Sequence, residues 1–350
     1  MLFLTIAVVM LLFTLGKSLL ARRAARPAAP LDEATAQRFG LVPDRGLVLG
    51  HTTLDDRGRA ALEAAERGDW RPAAEYVEAA GTDWDERYDR IDLLVDLAGR
   101  HHAWLEAWRQ ERPESSDAAS IRTAALVHAA WAIRGSGYSD TVTDEMRKGF
   151  QAKLAEAREA GARAARLAPA GDPTPYLAQL ALARGQNWSN EEFRALWSEV
   201  SSRAPRHWDG IWQGKEYWTR KWHGSHELMH AFVDATVAAA PIGSLLTVYK
   251  LDAYTEQYGD GAAGLGTPEL RAAVDALLAD LAAARPDHPQ LTTARGWAVR
   301  FLTGQGRHAE ALAQFQALGP VIPRTFLRSS QGPDEFTDLR ARTVAAFARG

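Results

Sequence analysis

A proline ends a helix-like stretch five times along this chain, at intervals of about 34 to 45 residues. These prolines are Pro169, Pro205, Pro241, Pro286 and Pro320. Proline stops a helix because its ring lacks the backbone N–H and clashes with the preceding turn. An interval of this size is typical of stacked helix pairs, in which each pair buries its apolar face against the next.

Apolar residues recur at helical spacing from Thr53 onward, and no convincing run alternates with a period of two. The pattern predicts an all-α fold with little or no sheet. Asp83, Ser116 and Thr143 stand where helices are expected to begin and are good N-cap residues. Helices are predicted over 84–98, 101–112, 117–134, 144–167, 173–185, 189–203, 207–222, 225–240, 244–258, 267–285, 289–303 and 333–348.

The segment 61–80 forms two short predicted helices around a turn at Gly68, with Ala73 and Val77 on the inner face. The segment 306–315 has a similar pattern near the other end. Both segments resemble the tetratricopeptide repeat, although they lack the Trp-x-x-Leu-Gly opening of its first helix. The resemblance implies a tetratricopeptide-like α-solenoid of stacked helix pairs.

A polar, glycine-containing loop at 134–145 connects two long predicted helices. Together with Trp104, Trp108 and the segment 221–225, this loop makes the stretch of about 55–260 resemble a bacterial family known only as a domain of unknown function. The resemblance implies an all-helical repeat fold and brings no known activity with it.

Residues 2–16 are almost wholly apolar, and the run extended to residue 20 is long enough to span a bilayer. The cations that follow its start are Lys17, Arg22, Arg23 and Arg26. A secretory signal peptide normally carries its cations before the apolar run. We therefore expect a retained single-pass transmembrane helix over 2–20, with a cleaved leader or a buried helix as alternatives.

The positive-inside rule then places the rest of the chain on the cytoplasmic side of the inner membrane. Three segments are predicted: a transmembrane anchor at 1–21, a linker with a short helix at 22–52, and a helical repeat domain at 53–350. Net charge is −3, so no basic excess points to nucleic acid as a partner. Cysteine is absent, which excludes disulfides and thiolate metal sites. We expect no cofactor.

The segment His226-Glu227-Leu228-Met229-His230 matches H-E-x-x-H, which places two imidazoles one helical turn apart with a glutamate as general base. A zinc site needs a third ligand, and Glu256 is the candidate. However, no strand that could hold substrate is predicted beside this helix, and the motif falls on the second helix of a repeat pair. We expect no bound zinc, and a zinc metallopeptidase is the alternative function.

An aromatic run begins at Trp208, and the pairs Trp208/Trp212 and Trp218/Trp222 have the i, i+4 spacing of one helix face. One interpretation is a core seam against neighbouring helices. The other is an aromatic groove flanked by Lys215 and other cations, since tryptophan and arginine are favoured anchors at interfaces. Both interpretations stay open at this point.

The loop at 134–145 is the third candidate, because a structural connection rarely needs so many hydroxyls and carboxylates. We predict a non-catalytic scaffold, anchored in the membrane, that binds a protein or peptide through a helical-repeat groove. The candidate partner-binding residues are Arg134, Tyr138, Asp140, Glu145, Trp212, Lys215, Trp218 and Trp222.

Overall fold

The computed structural model describes residues 30–50, 54–135, 142–259, 264–327 and 331–349. This part of the chain is 71% helical and contains sixteen α-helices, which confirms the all-α prediction. Its strand content is one pair of two-residue strands. The chain divides into two compact units at residue 232: the first is formed by 54–232, and the second by 30–50 and 233–349. Helical periodicity alone gives no sign of this boundary, which falls inside a helix.

The first unit is built from consecutive helices that pack mainly on their neighbours in sequence. Its helices are α2 (Asp56–Glu66), α3 (Arg71–Glu78), α4 (Trp84–Arg100), α5 (Ala103–Glu111), α6 (Ser116–Arg134), α7 (Asp144–Leu167), α8 (Thr174–Gly185), α9 (Asn190–Arg203), α10 (Trp208–Tyr217) and the start of α11 (His226–Ala238). The most extensive helix–helix contact joins α6 and α7, and α8 packs against both.

Helix starts and stops in this unit follow local chemistry. Asp83 and Thr143 each accept a hydrogen bond from the backbone N–H three residues on, as predicted. The cap of α6 is Ser115 rather than Ser116, and its hydroxyl lies 3.2 Å from the nitrogen of Ala118. The helices α7 and α9 each end shortly before a predicted proline stop, Pro169 and Pro205 respectively.

The predicted helix 207–222 is wrong at its C-terminal end, because α10 stops at Tyr217. The chain then folds back: the backbone N–H of His223 donates to the carbonyl of Tyr217 at 3.2 Å. A Cβ at Gly224 would lie 2.0 Å from the carbonyl oxygen of Trp218, so only glycine permits this close approach. Trp218 and Trp222 therefore do not share a helix face.

A tryptophan core, formed by Trp70, Trp104 and Trp108, lies at the centre of α2–α6. The rings of Trp70 and Trp108 stack at 5.6 Å between centroids, and Trp104 contacts Trp108 at 6.4 Å. All three side chains are buried among aliphatic residues of α4 and α6. Each such ring removes a large apolar area from water, so this core contributes strongly to stability.

The second unit joins the segment 30–50 to the C-terminal helices. Its further elements are α1 (Glu33–Arg38), β1 (Val48–Leu49), α12 (Val248–Tyr258), α13 (Pro268–Ala283), α14 (Leu291–Gly304), α15 (His308–Leu318), β2 (Val321–Ile322) and α16 (Gly332–Phe347). The strands β1 and β2 pair in parallel. The buried guanidinium of Arg340 on α16 pairs with Asp44, so residues 30–50 of the segment predicted as a linker with a short helix pack into the core of this unit.

No helix among the described residues has both the length and the apolar character needed to cross a bilayer. The transmembrane helix predicted over 2–20 lies outside the described residues.

Candidate functional site

Five side chains of the first unit form an arginine–tryptophan cluster. Its members are Trp131 and Arg134 on α6, Arg184 on α8, Trp212 on α10 and Trp222 in the turn after α10. The indoles of Trp131 and Trp222 meet edge to face at 5.5 Å. Of the predicted partner-binding residues, Arg134, Trp212 and Trp222 are brought together here. Each of the three is half-buried, so the cluster reaches the solvent.

Arg184 lies at the centre of this cluster. Its guanidinium carbon is 5.2 Å from the ring of Trp131, 5.9 Å from that of Trp212 and 5.5 Å from that of Trp222. These distances are those of cation–π contacts. The residue is only 2% exposed, so its charge is held among three indoles rather than in water.

The hydrogen bonding of Arg184 is incomplete within the described chain. One terminal nitrogen donates to the side-chain oxygen of Gln213 at 3.0 Å. Its Nε finds no acceptor among the described residues. Burial lowers the pKa of Arg184, and Arg134 lowers it further, while Glu216 opposes the shift. A buried guanidinium with an unused donor favours an additional negative charge nearby.

Arg134, which is half-exposed, lies over two of the three rings that surround Arg184. Its guanidinium carbon is 5.7 Å from the ring of Trp131 and 5.6 Å from that of Trp222. One of its nitrogens donates to the carbonyl of Gly135 at 3.2 Å, and burial lowers its pKa. The two arginines thus share two tryptophans, and the charge of Arg134 adds to the burial that lowers the pKa of Arg184.

The carboxylate whose charge acts on Arg184 is already paired. Glu216 is buried, and its oxygens lie 3.0 Å from Nζ of Lys215 and 3.2 Å from Nζ of Lys221. Burial alone would raise the pKa of Glu216, but Lys215, Lys221 and Arg184 together hold it well below its usual range. The predicted role of Lys215 at the rim of a groove is therefore wrong, since its side chain is buried in this ion pair.

Trp218 faces away from the cluster. Its ring contacts Phe193 edge to face at 5.7 Å, and Arg194 lies over it at 5.0 Å. Tyr217 stacks on the same Phe193 at 3.6 Å and donates its hydroxyl to the carbonyl of Trp188 at 2.7 Å. Trp218 is thus part of the packed interior. The aromatic run therefore divides between this interior and the arginine–tryptophan cluster, which contains Trp212 and Trp222.

The remaining predicted contacts lie elsewhere. Glu145 is exposed in the first turn of α7 and is not part of the cluster. Tyr138 and Asp140 lie outside the described residues.

The H-E-x-x-H motif begins α11, with His226 and His230 half-buried and Glu227 exposed. A hydrogen bond from Ser225 is the main cause that lowers the pKa of Glu227. A general base works best with a pKa near the operating pH, so this shift makes the carboxylate a weaker base. Within the described residues, no group of three histidine or acidic side chains is placed to hold a metal ion, including His226, His230 and Glu256.

Sequence reasoning missed Trp131 and Arg184, which complete the cluster. The available signal was Arg184 itself, a single cation in the otherwise apolar stretch 180–185 of α8. A cation on the buried face of a helix is rare unless something pairs with it. In the structure, Gly185 beside it allows close packing, because a Cβ there would lie 2.8 Å from Leu154 and 3.3 Å from the ring of Trp131.

A family described as Domain of unknown function (DUF4034) matches residues 61–188. This match confirms part of the stretch for which the sequence resembled such a family, and it ends short of residue 260. It includes Trp131, Arg134 and Arg184 but not Trp212 or Trp222. No curated protein and no solved structure matches the chain.

Proposed function

We propose that this chain is a non-catalytic scaffold that binds a protein or peptide, and that the arginine–tryptophan cluster is the anchor for that partner. The observation that carries the proposal is the pair of arginines stacked on shared, half-exposed tryptophans. Tryptophan and arginine are the residue types most enriched at the energetic centres of interfaces. A cluster that only packed the interior would gain more from apolar side chains than from two cations.

The cluster is also held ready for binding. Arg184 is fixed by Gln213 and by three rings, and Trp131 stacks edge to face on Phe150 at 5.1 Å. Side chains that are already ordered lose less conformational entropy when a partner arrives. The half-exposed edges of Trp212 and Trp222 therefore present apolar contact area at low entropic cost.

The proposal includes the architecture that the sequence predicts. Neighbouring helices such as α2 with α3, and α14 with α15, pack as pairs, which supports a tetratricopeptide-like solenoid. The apolar run at 2–16, followed by Lys17, Arg22 and Arg23, supports a membrane anchor with the domain facing the cytoplasm.

Binding is favoured over catalysis because the titratable groups near the cluster serve ion pairs. Glu216 is stabilised as an anion by two lysines, so it is poorly suited to accept a proton near neutral pH. The lowered pKa of Glu227 has the same consequence for the alternative peptidase function.

Selection from a random displayed-peptide library on the immobilised full-length chain tests the proposal. We expect wild-type protein to enrich a set of related peptides, and Trp222→Ala to lose them. The matched control is Trp197→Ala, because Trp197 is also half-buried in the first unit but contacts Phe232 at 4.9 Å instead of the cluster. No enrichment on the wild-type chain, or equal loss in both variants, would overturn the proposal.

A further inference from the structure

We infer that the group recognised by the arginine–tryptophan cluster is a carboxylate, carried by an acidic side chain of a peptide partner. This inference rests on the proposed binding function and specifies the chemistry of its ligand. Arg134 supplies the direct contact, since it is the half-exposed cation. Arg184 lies beneath the indoles and adds positive potential to the same place.

The positive charges of Arg134 and Arg184 are not paired with a carboxylate among the described residues. Within the described chain, no carboxylate lies at ion-pairing distance from Arg134 or from Arg184. Glu216 is the acid whose charge acts on Arg184, and it is already paired with Lys215 and Lys221. Two adjacent, partly desolvated guanidiniums without a carboxylate form a positive site that an incoming anion stabilises.

Another arginine–tryptophan stack in the same unit has its own carboxylate partner. Arg158 lies 4.6 Å from the ring of Trp188, and Glu192 lies 3.7 Å from its guanidinium. That stack is neutralised within the chain. Among the described residues, no carboxylate takes the place beside Arg134 that Glu192 takes beside Arg158, and a partner's carboxylate fits the same geometry.

The guanidinium of Arg134 has more hydrogen-bond donors than it uses among the described residues. A guanidinium has five N–H donors in a planar fork that matches the two oxygens of a carboxylate. Arg134 uses one donor on the carbonyl of Gly135, and its other donors make no side-chain hydrogen bond among the described residues. The edges of Trp212 and Trp222 next to it suit an apolar residue that neighbours the acidic one.

A peptide fits better than a nucleic acid because the chain as a whole has a net charge of −3. Nucleic-acid binding depends on many phosphate contacts and usually on an extended basic surface. A single focused cation pair, rimmed by indoles, instead matches one acidic group within a short apolar segment.

The experiment uses short fluorescent peptides chosen by the library selection, measured by fluorescence anisotropy with the full-length chain. Each peptide is compared in three forms, with Glu, Gln or phosphoserine at its acidic position. We expect the Glu form to bind about tenfold more tightly than the Gln form. Raising salt from about 0.05 to about 0.5 M should reduce this preference because the site reaches solvent.

Two variants assign the effect to the site. Arg134→Gln should remove the preference for Glu over Gln, while Arg158→Gln, the matched stack on Trp188, should keep it. Equal binding of the Glu and Gln forms would overturn this inference and leave the proposed function standing. Tighter binding of the phosphoserine form, with the Glu form no tighter than the Gln form, would overturn the carboxylate assignment. If the selected peptides bind neither the wild-type chain nor the variants in solution, the binding function itself is overturned.

Discussion

The tryptophan core and the arginine–tryptophan cluster use the same residue types in opposite ways. In the tryptophan core, Arg71 and Arg112 lie over the ring of Trp70 at 5.0 and 4.9 Å. Each of these arginines also has a carboxylate partner, Glu111 at 2.7 Å and Glu78 at 3.2 Å, respectively. The charges are therefore neutralised at the surface of a fully buried aromatic stack.

In the arginine–tryptophan cluster, the arginines are more deeply placed, and neither has a carboxylate at ion-pairing distance among the described residues. Arg184 is buried among three indoles, and Arg134 shares two of these rings. The aromatic contacts alone do not distinguish the two regions. The two regions differ in whether a carboxylate among the described residues pairs with each stacked arginine. Charge balance, rather than the number of aromatic rings, therefore separates a packing core from a candidate binding site in this chain.

The largest expected effect belongs to the tryptophan core. Trp108 is completely buried and contacts both Trp70 and Trp104. Replacing it with alanine should leave a large cavity and lower the free energy of unfolding by about 3–5 kcal/mol. Urea denaturation of the full-length chain measures this loss.

Trp222→Ala is the counterpart in the other region, where the ring is half-exposed. Its effect on the free energy of unfolding should be clearly smaller than that of Trp108→Ala, while peptide binding is lost. Equal destabilisation by the two variants would show that the cluster is a second packing core and would break the comparison.

The next effect concerns Glu216, the carboxylate that lies near the cluster but is used internally. Glu216→Gln removes the carboxylate that pairs with the buried Lys215 at 3.0 Å and should cost about 3 kcal/mol of stability. Urea denaturation at neutral pH tests this, with Glu192→Gln as a control at an exposed site. An unchanged midpoint for Glu216→Gln would contradict the importance of the buried ion pair.

The pH dependence has a definite sign. The folded-state pKa of Glu216 lies well below its ordinary value of 4.5. Its contribution to stability is therefore complete above about pH 4.5 and is lost as the pH falls toward the folded-state pKa. Stability measured across this acidic range should fall less steeply for Glu216→Gln than for the wild-type chain.

Much of the fold is predictable because helix signals are local. Caps such as Asp83 and Thr143, and stops such as Pro169, act within a few residues of the helix end they define. The end of α10 is missed because it depends on a close approach between Gly224 and Trp218, which the helical period does not encode. The division at residue 232 depends on contacts between distant segments and is equally invisible to local patterns.

The candidate site is only half predictable for the same reason. Arg134, Trp212 and Trp222 stand out in the sequence as cations and aromatics near turns. Their grouping depends on Arg184, which comes from another helix and joins α6 to the turn after α10 through its three ring contacts. Sequence spacing gave the residue types, but the packing of α6, α8 and α10 decides which of them meet.

The smallest expected change in stability is that of Arg184→Met. Methionine keeps much of the side-chain volume, and removing a buried charge that has no carboxylate at ion-pairing distance among the described residues relieves its desolvation cost. The variant loses three cation–π contacts and the hydrogen bond to Gln213. These terms oppose each other, so we expect the free energy of unfolding to change by less than about 1 kcal/mol.

Arg87→Met is the matched control, because Arg87 is also largely buried but pairs with buried Asp117 at 2.6 Å. Its replacement strands the Asp117 carboxylate and should cost about 3–5 kcal/mol. Urea denaturation of both variants makes the comparison direct. If Arg184→Met loses as much stability as Arg87→Met, Arg184 is a structural cation like Arg87. If it folds as well as the wild type but binds Glu and Gln peptides more equally, its buried charge serves recognition rather than folding.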